Sequence, residues 1–93
     1  MIRSQGDTLV LEGPITVANV QAVLADGERL FTQLEVRVDL SGVTEVDSSA
    51  LSLLLEWARW AAKNRRRIAF LNLPANLSSL AALYGVGHLI PSA

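Results

Sequence analysis

The sequence predicts a mixed α/β domain in which a sheet of four to five strands is flanked by helices. Short β-prone runs alternate along the chain with segments whose apolar residues recur every three or four positions. The resulting order, β-β-α-β-α-β-α, places helices between strands, as the connections of a mixed sheet require. Since 93 residues have room for only one core, we expect residues 1–93 to form a single domain.

The first half of the chain predicts a hairpin, a helix and a strand. A turn signal at residues 6–7 precedes a β-prone run at residues 8–12, which a Gly-Pro pair ends. Thr16 is predicted to cap a helix whose apolar spacing continues to residue 31. Gly27 inside this helix lowers its helical propensity and therefore indicates a close contact between helix and sheet. Residues 35–40 alternate charged and apolar side chains and predict a strand.

The second half predicts two further helices, a buried strand and a short edge strand. Residues 41–47 are predicted to be a loop, and a helix is expected from residue 48 to residue 64. The short apolar run at residues 67–71 is typical of a buried strand. A third helix is expected over residues 75–84, because a proline precedes it and a glycine follows it. Residues 87–91 are predicted to add a short edge strand.

The residues that most enzymes need are missing. There is no cysteine, the only histidine is His88, and no Gly-x-Ser-x-Gly motif is present. No Gly-Lys-Ser/Thr motif is present to bind a nucleotide, and Asp39 and Asp47 lack the acidic partners of a magnesium pocket. We therefore expect no enzymatic activity, no cofactor and no metal, and we expect His88 to lie in an edge strand or at the surface.

Charge and hydropathy indicate a cytoplasmic protein that binds another protein. The net charge of −1 provides no attraction to nucleic acid or to an anionic membrane. The basic cluster at residues 63–67 follows a helix, where cations complement the helix dipole, and is predicted to be a solvated turn. Neither a signal peptide nor a membrane span is expected. However, 51% hydrophobic residues and a mean hydropathy of +0.34 are high for a small domain, which indicates apolar surface awaiting a partner.

The most specific stretch is residues 39–51, DLSGVTEVDSSAL. It predicts a strand, a loop and then Asp47-Ser48-Ser49 at the start of a helix. Asp47 or Ser48 can accept hydrogen bonds from the free N–H groups of the first helical turn. The same N–H groups would stabilise a phosphate on Ser48. On spacing alone, ordinary helix capping and a phosphorylation site both remain open.

This stretch resembles the signature of STAS domains, the family of anti-sigma factor antagonists and sulphate-transporter tails. In that family a strand ending in Asp-Leu-Ser is followed by a loop, Asp-Ser/Thr, a small pair and Leu, and the pattern fits nearly the whole chain. The resemblance implies a small mixed sheet flanked by helices. It also implies that Ser48 corresponds to the phosphorylated residue of the antagonists. This sequence departs from the pattern at Ala50, where the family usually has glycine.

Three flanking segments are similar to the MlaB-like branch of the family, the STAS subunits of lipid-asymmetry (Mla) ABC transporters. They are LLLEWAR at residues 53–59, NLP at residues 72–74 and LAALY at residues 80–84. The similarity implies a partner, the cytoplasmic ATPase subunit of a phospholipid transporter, and membrane contact only through that complex. Two alternatives stay open: an anti-sigma factor antagonist regulated by a kinase at Ser48, and a small-molecule or lipid-binding domain.

A helical wheel of residues 48–64 shows two apolar stripes rather than one. The first stripe, expected to face the sheet, contains Leu51, Leu54, Leu55, Ala58, Ala61 and Ala62. The second contains Leu53, Trp57 and Trp60, and tryptophan is a frequent interface anchor. We therefore expect both tryptophans to lie outside the core, unless the second stripe packs on a neighbouring helix. The predicted partner-binding residues are Asp47, Ser48, Ser49, Leu53, Trp57 and Trp60.

Overall fold

The computed structural model describes residues 2–92. Four strands and three α-helices follow one another in the order β1 (Ile2–Gln5), β2 (Thr8–Ile15), α1 (Val20–Leu30), β3 (Glu35–Val46), α2 (Ser48–Lys63), β4 (Arg67–Leu71) and α3 (Ala75–Leu83). A 3₁₀ turn at Gly87–Leu89 comes after α3. The predicted mixed sheet with flanking helices is confirmed.

The sheet has the strand order β1-β2-β3-β4. The β1–β2 pair is antiparallel, whereas β2–β3 and β3–β4 are parallel. Leu9, Val38 and Phe70 lie side by side in register and are all buried, while the next residue along β3 towards its start, Arg37, is exposed. This alternation places the helices on one face of the sheet, and α2 packs between α1 and α3.

The strand β3 is longer than the sequence predicts. Residues 41–46, expected to be part of a loop, continue the strand and pair with β2 as far as Val46. The β2–β3 pairing shifts register between Val10 and Glu12 and again between Gly13 and Pro14, and each shift leaves one extra residue on β3. Gly13 and Pro14 therefore lie within continued pairing rather than at its end. Because β4 pairs with β3 only as far as Asp39, residues 12–15 and 42–46 form a projecting two-stranded ribbon. This projecting ribbon carries the start of α2 beyond the rest of the sheet.

The first helix begins later than Thr16, which corrects the predicted cap. The Asn19 side chain accepts a hydrogen bond from Thr16 N (3.0 Å) and donates one to Pro14 O (2.8 Å). These local bonds hold residues 16–19 in a turn, and the helix starts at Val20. Val17 therefore precedes the helix, and its side chain is 77% exposed.

The second apolar stripe of α2 is buried against α1. Trp57 is 0% exposed and Leu53 is 2% exposed. The Trp57 ring packs edge-on against Phe31 at a centroid distance of 5.3 Å, and its Nε1 donates to Leu24 O at 3.3 Å. The expectation that Trp57 lies outside the core is therefore wrong. A helix that lies between two others buries both of its flanks, which explains the two stripes.

Gly27 marks a close contact, but the contact is between two helices rather than between helix and sheet. A Cβ atom at Gly27 would overlap Cζ2 of Trp57 and lie 2.7 Å from Cε2 of the same ring. The absence of a side chain at Gly27 therefore lets α1 approach the buried tryptophan.

The substitution Gly27→Ala should destabilise the domain despite the higher helical propensity of alanine. In an open helix position the change would stabilise by up to about 1 kcal/mol. Here the added methyl group meets a fully buried ring, and overpacking of this kind costs about 1–3 kcal/mol. Urea denaturation measures the difference, with Gly87→Ala as the control because a Cβ at Gly87 meets nothing within 4 Å. Equal stability of wild type and Gly27→Ala would contradict the close contact.

The C-terminal segment only partly follows its prediction. Instead of an edge strand over residues 87–91, the chain forms the 3₁₀ turn, and Ser92 then makes an isolated parallel bridge to Phe70.

The basic turn after α2 is not merely solvated, because Arg66 donates to Phe31 O (2.8 Å) and Gln33 O (3.0 Å). The Arg66 guanidinium also lies 5.6 Å from the centroid of the Trp60 ring.

Candidate docking surface at the start of the second helix

Asp47 joins the start of α2 to the loop that precedes α1. As the N-cap residue, it accepts hydrogen bonds at Oδ1 from Ser49 N (2.9 Å) and from Ser49 Oγ. Its other carboxylate oxygen, Oδ2, accepts from Val17 N at 3.1 Å. One side chain therefore fixes the positions of Ser48, Ser49 and Val17 relative to one another.

These hydrogen bonds hold the pKa of Asp47 below its usual value, chiefly through the Ser49 side chain and then through the Val17 N–H. A second carboxylate, Asp39, has a lowered pKa for a similar reason, since its Oδ1 accepts from Asn72 Nδ2 (3.0 Å) and Ser41 N (2.9 Å). Both aspartates are therefore ionised at neutral pH and serve as hydrogen-bond acceptors in the fold.

The variant Asp47→Asn should be less stable than wild type at pH 7. An Asn oxygen can still cap Ser49 N, but the amide nitrogen then faces the Val17 N–H, and two donors cannot bond. Because the folded-state pKa of Asp47 lies below its unfolded value, its contribution is present above about pH 4 and is lost as the pH falls through the folded-state value. Urea titrations from pH 7 downwards should show the stability difference shrinking below about pH 4. A difference that does not change with pH would contradict this role.

Ser48 and Ser49 differ in what they offer to a partner. Ser48 is exposed and is the first residue of α2, so it lies at the helix start, where backbone N–H groups have no partner within the helix. Ser49 is half-buried, and its hydroxyl is engaged with Asp47. Ser48 is therefore the accessible member of the pair, whereas Ser49 supports Asp47.

An apolar groove of about 280 Å³ opens beside Ser49, between the N-terminal halves of α1 and α2. It is lined by Val17, Val20, Gln21, Leu24, Ser49, Ser52, Leu53 and Glu56. Leu53 is a buried wall of the groove, while Val17 stands exposed at its edge. We name this groove, together with Asp47, Ser48 and Ser49, the docking surface.

A family model described as "Mlab, STAS domain" matches residues 1–91 of this sequence. The chain belongs to this STAS domain family. Domains of the family mediate protein–protein interactions. The search of curated proteins gave no match.

Three solved structures share the fold. The anti-sigma factor antagonist SpoIIAA in its unphosphorylated form is 17% identical, with a TM-score of 0.73 over 100% of this chain and 86% of that one. The Bacillus cell fate determinant SpoIIAA in the phosphorylated form is 18% identical, with a TM-score of 0.66 over 100% and 89%. A structure titled "Crystal Structure Analysis of Mglu" is 24% identical, with a TM-score of 0.61 over 81% of this chain and 19% of that one. These likenesses establish the STAS fold.

The STAS domain brings some of the predicted binding residues together and separates others. Asp47, Ser48 and Ser49 lie on the docking surface as a group. Trp57 does not, because it is enclosed between α1 and α2, and Leu53 contributes a buried wall rather than an exposed anchor. Trp60 is half-buried under Arg66 and beside Phe31.

Val17 is an exposed docking-surface residue that the sequence does not predict, and the groove lining from Val20, Gln21, Leu24, Ser52 and Glu56 is not predicted either. The position of Val17 three residues before Val20 fits the apolar period of α1, so the pattern predicts a core residue. The sequence signal that separates Val17 from the helix is Asn19. Its side chain closes the turn over residues 16–19, so the helix begins only at Val20.

Residues 2–92 contain no group of three or more His, Cys, Asp or Glu side chains that could hold a metal ion. His88 is exposed on the 3₁₀ turn. Within the same described range, no helix combines the length and the apolar character needed to cross a membrane.

Proposed function

We propose that this STAS domain is a non-catalytic subunit that binds the ATPase subunit of a phospholipid-transporting, Mla-type ABC transporter. In this role the single domain of residues 1–93 works in the cytoplasm and reaches the inner membrane only through the transporter complex. Contact with the ATPase occurs through the docking surface.

The observation that carries the proposal is the apolar groove beside Ser49, the residue that follows the exposed Ser48. An exposed valine and a groove with apolar walls are suited to an apolar side chain of a partner. The carboxylates and hydroxyls around them provide the polar rim that interfaces usually have. The match to the MlaB family model over residues 1–91 supports the choice of a transporter ATPase as that partner.

A non-catalytic role agrees with how the polar residues are used. Asp39 and Asp47 accept hydrogen bonds from backbone N–H groups and from side chains, so both carboxylates stabilise the fold. His88 stands alone on an exposed turn without a nucleophile positioned beside it in the sequence.

The proposal is tested by mixing the purified domain with the Mla-type ATPase subunit encoded in the same genome. We expect a stable complex by size-exclusion chromatography and a change in the rate of ATP hydrolysis. The variant Val17→Asp should weaken the complex at least tenfold, since it places a charge at the apolar edge of the groove. The matched control is Leu34→Asp, because Leu34 is equally exposed but lies away from the docking surface. No complex with the ATPase, or equal weakening by both variants, would refute the proposal.

A second candidate function is that of an anti-sigma factor antagonist switched by phosphorylation of Ser48. The exposure of Ser48 at a helix N-terminus favours it, because the first-turn N–H groups stabilise a phosphate. The fold is also similar to SpoIIAA in both its unphosphorylated and its phosphorylated forms. Binding to an anti-sigma factor, together with phosphate transfer to Ser48, would establish this function instead.

A further inference from the structure

The last quarter of the chain carries almost no charge. All eight Lys and Arg residues and all nine Asp and Glu residues lie within residues 1–67, and His88 is the only titratable side chain among residues 68–93 apart from Tyr84. This uneven distribution leaves α3 and the 3₁₀ turn as an uncharged part of the protein surface.

This uncharged part exposes large apolar side chains. Leu83 is 76% exposed, Tyr84 59% and Leu89 51%. The helix α3 buries only Leu77 and Ala81, although apolar residues surround most of its circumference. Because α3 packs against the 3₁₀ turn, these exposed side chains belong to one region. We call Leu83, Tyr84 and Leu89 the α3 surface.

A groove of about 380 Å³ continues this region towards the second helix. It is lined by Leu89 together with Leu55, Ala58 and Arg59 of α2. The Arg59 guanidinium is already paired with Glu56 at 2.7 Å, so the charge at the groove margin is balanced within the domain. The groove therefore adds apolar walls to the α3 surface without adding an unpaired charge.

We propose that two copies of this chain associate symmetrically through the α3 surface. A two-fold axis places the same surface of each copy against the other, so like charges close to the axis face each other. A surface without Lys, Arg, Asp or Glu avoids this repulsion, and burial of its Leu and Tyr side chains favours association.

The same absence of charge argues against other occupants. Interfaces between different proteins gain specificity and association rate from complementary charge, which the α3 surface does not have, whereas homodimer interfaces are more apolar. An anionic membrane attracts surfaces that combine apolar side chains with several Lys or Arg residues, which this surface lacks.

Dimerisation leaves the docking surface free. The helices run back from the carboxyl ends of the parallel strands, so Leu83 and Tyr84 at the end of α3 lie towards the opposite end of the domain from Ser48. The dimer is therefore independent of the proposed function, and either one can hold without the other.

Sedimentation velocity of the full chain over a range of concentrations tests the dimer. We expect wild type to change from monomer to dimer as concentration rises. Leu83→Glu should raise the dimer dissociation constant at least tenfold, since it places a carboxylate of each copy in a surface that the dimer buries. Leu34→Glu is the matched control and should behave as wild type, because Leu34 is also 76% exposed but lies beside Glu35, Arg65 and Arg67.

Three results would overturn the proposal. The first is a wild-type chain that stays monomeric up to its solubility limit. The second is equal weakening by Leu83→Glu and Leu34→Glu, which would show a non-specific effect of charge. The third is a monomer that floats with phosphatidylglycerol vesicles and loses this property in Leu83→Glu, which would assign the α3 surface to a membrane.

Discussion

The variant Trp57→Ala should unfold at a much lower urea concentration than wild type. The Trp57 side chain is completely buried, contacts Phe31 edge-on and donates a hydrogen bond to Leu24 O. Truncation of such a residue costs about 3–5 kcal/mol, because it leaves a cavity as well as removing apolar burial. Since natural domains are stable by only about 5–15 kcal/mol, this loss removes a large part of the total.

Two companion variants separate burial from the hydrogen bond. Trp57→Phe keeps much of the aromatic side chain but removes the N–H that bonds Leu24 O. Its stability should therefore lie between those of wild type and Trp57→Ala, and it can be measured even if Trp57→Ala does not fold. Trp60→Ala should cost less than Trp57→Ala, because Trp60 is half-buried. Circular dichroism during urea titration gives all three values. A Trp57→Ala variant as stable as wild type would place this tryptophan outside the core after all.

The sequence predicts most of the elements because periodicity and turn residues are local signals. The strand β4 is predicted at its observed bounds, and α2 and α3 are each predicted to within one residue at their ends. The extension of β3 to Val46 is not predicted, since pairing with β2 across Gly42 depends on a partner distant in sequence. Gly13 and Pro14 lie within a continuing ladder whose register shifts the local pattern does not distinguish from a loop.

The burial of Trp57 depends on which helix lies beside which. A helical wheel correctly separates two apolar stripes on α2 but contains no information about neighbours. The structure places α1 against the second stripe, and Gly27 provides the space for it. Gly27 was the local sign of a close approach, but its partner could be identified only from the arrangement of the three helices.

The site is predictable to the extent that it is local. Asp47-Ser48-Ser49 follows the spacing of a helix cap, and the structure shows Asp47 in that role. Val17 enters the docking surface through a hydrogen bond to Asp47 that spans 30 residues of sequence. Contacts of this kind follow from the parallel pairing of β2 with β3, which brings the ends of both strands together.

The variant Ser48→Asp should keep its fold and lose its partner. A carboxylate at the first position of α2 lies at the positive end of the helix dipole, which stabilises by up to about 1 kcal/mol and offsets repulsion from Asp47. At a closed interface, the same charge loses its water and stands beside the apolar groove. We expect binding to the ATPase subunit to weaken by about thirtyfold or more, which corresponds to about 2 kcal/mol.

The matched variants for this test are Ser48→Ala and Ser78→Asp. Ser48→Ala removes the hydroxyl without adding charge, so a much smaller loss of affinity would show that charge, rather than a missing hydrogen bond, breaks the complex. Ser78 is an exposed serine near the start of α3, which begins well short of the projecting ribbon, and Ser78→Asp should bind as wild type. Affinity is measured by calorimetry, and folding by thermal denaturation of each variant. If Ser48→Asp unfolds, Ser48 serves the helix start alone, and if it binds as wild type, Ser48 lies outside the interface. A loss confined to Ser48→Asp would mean that phosphorylation of this hydroxyl could release the partner, because a phosphate carries more charge at the same position.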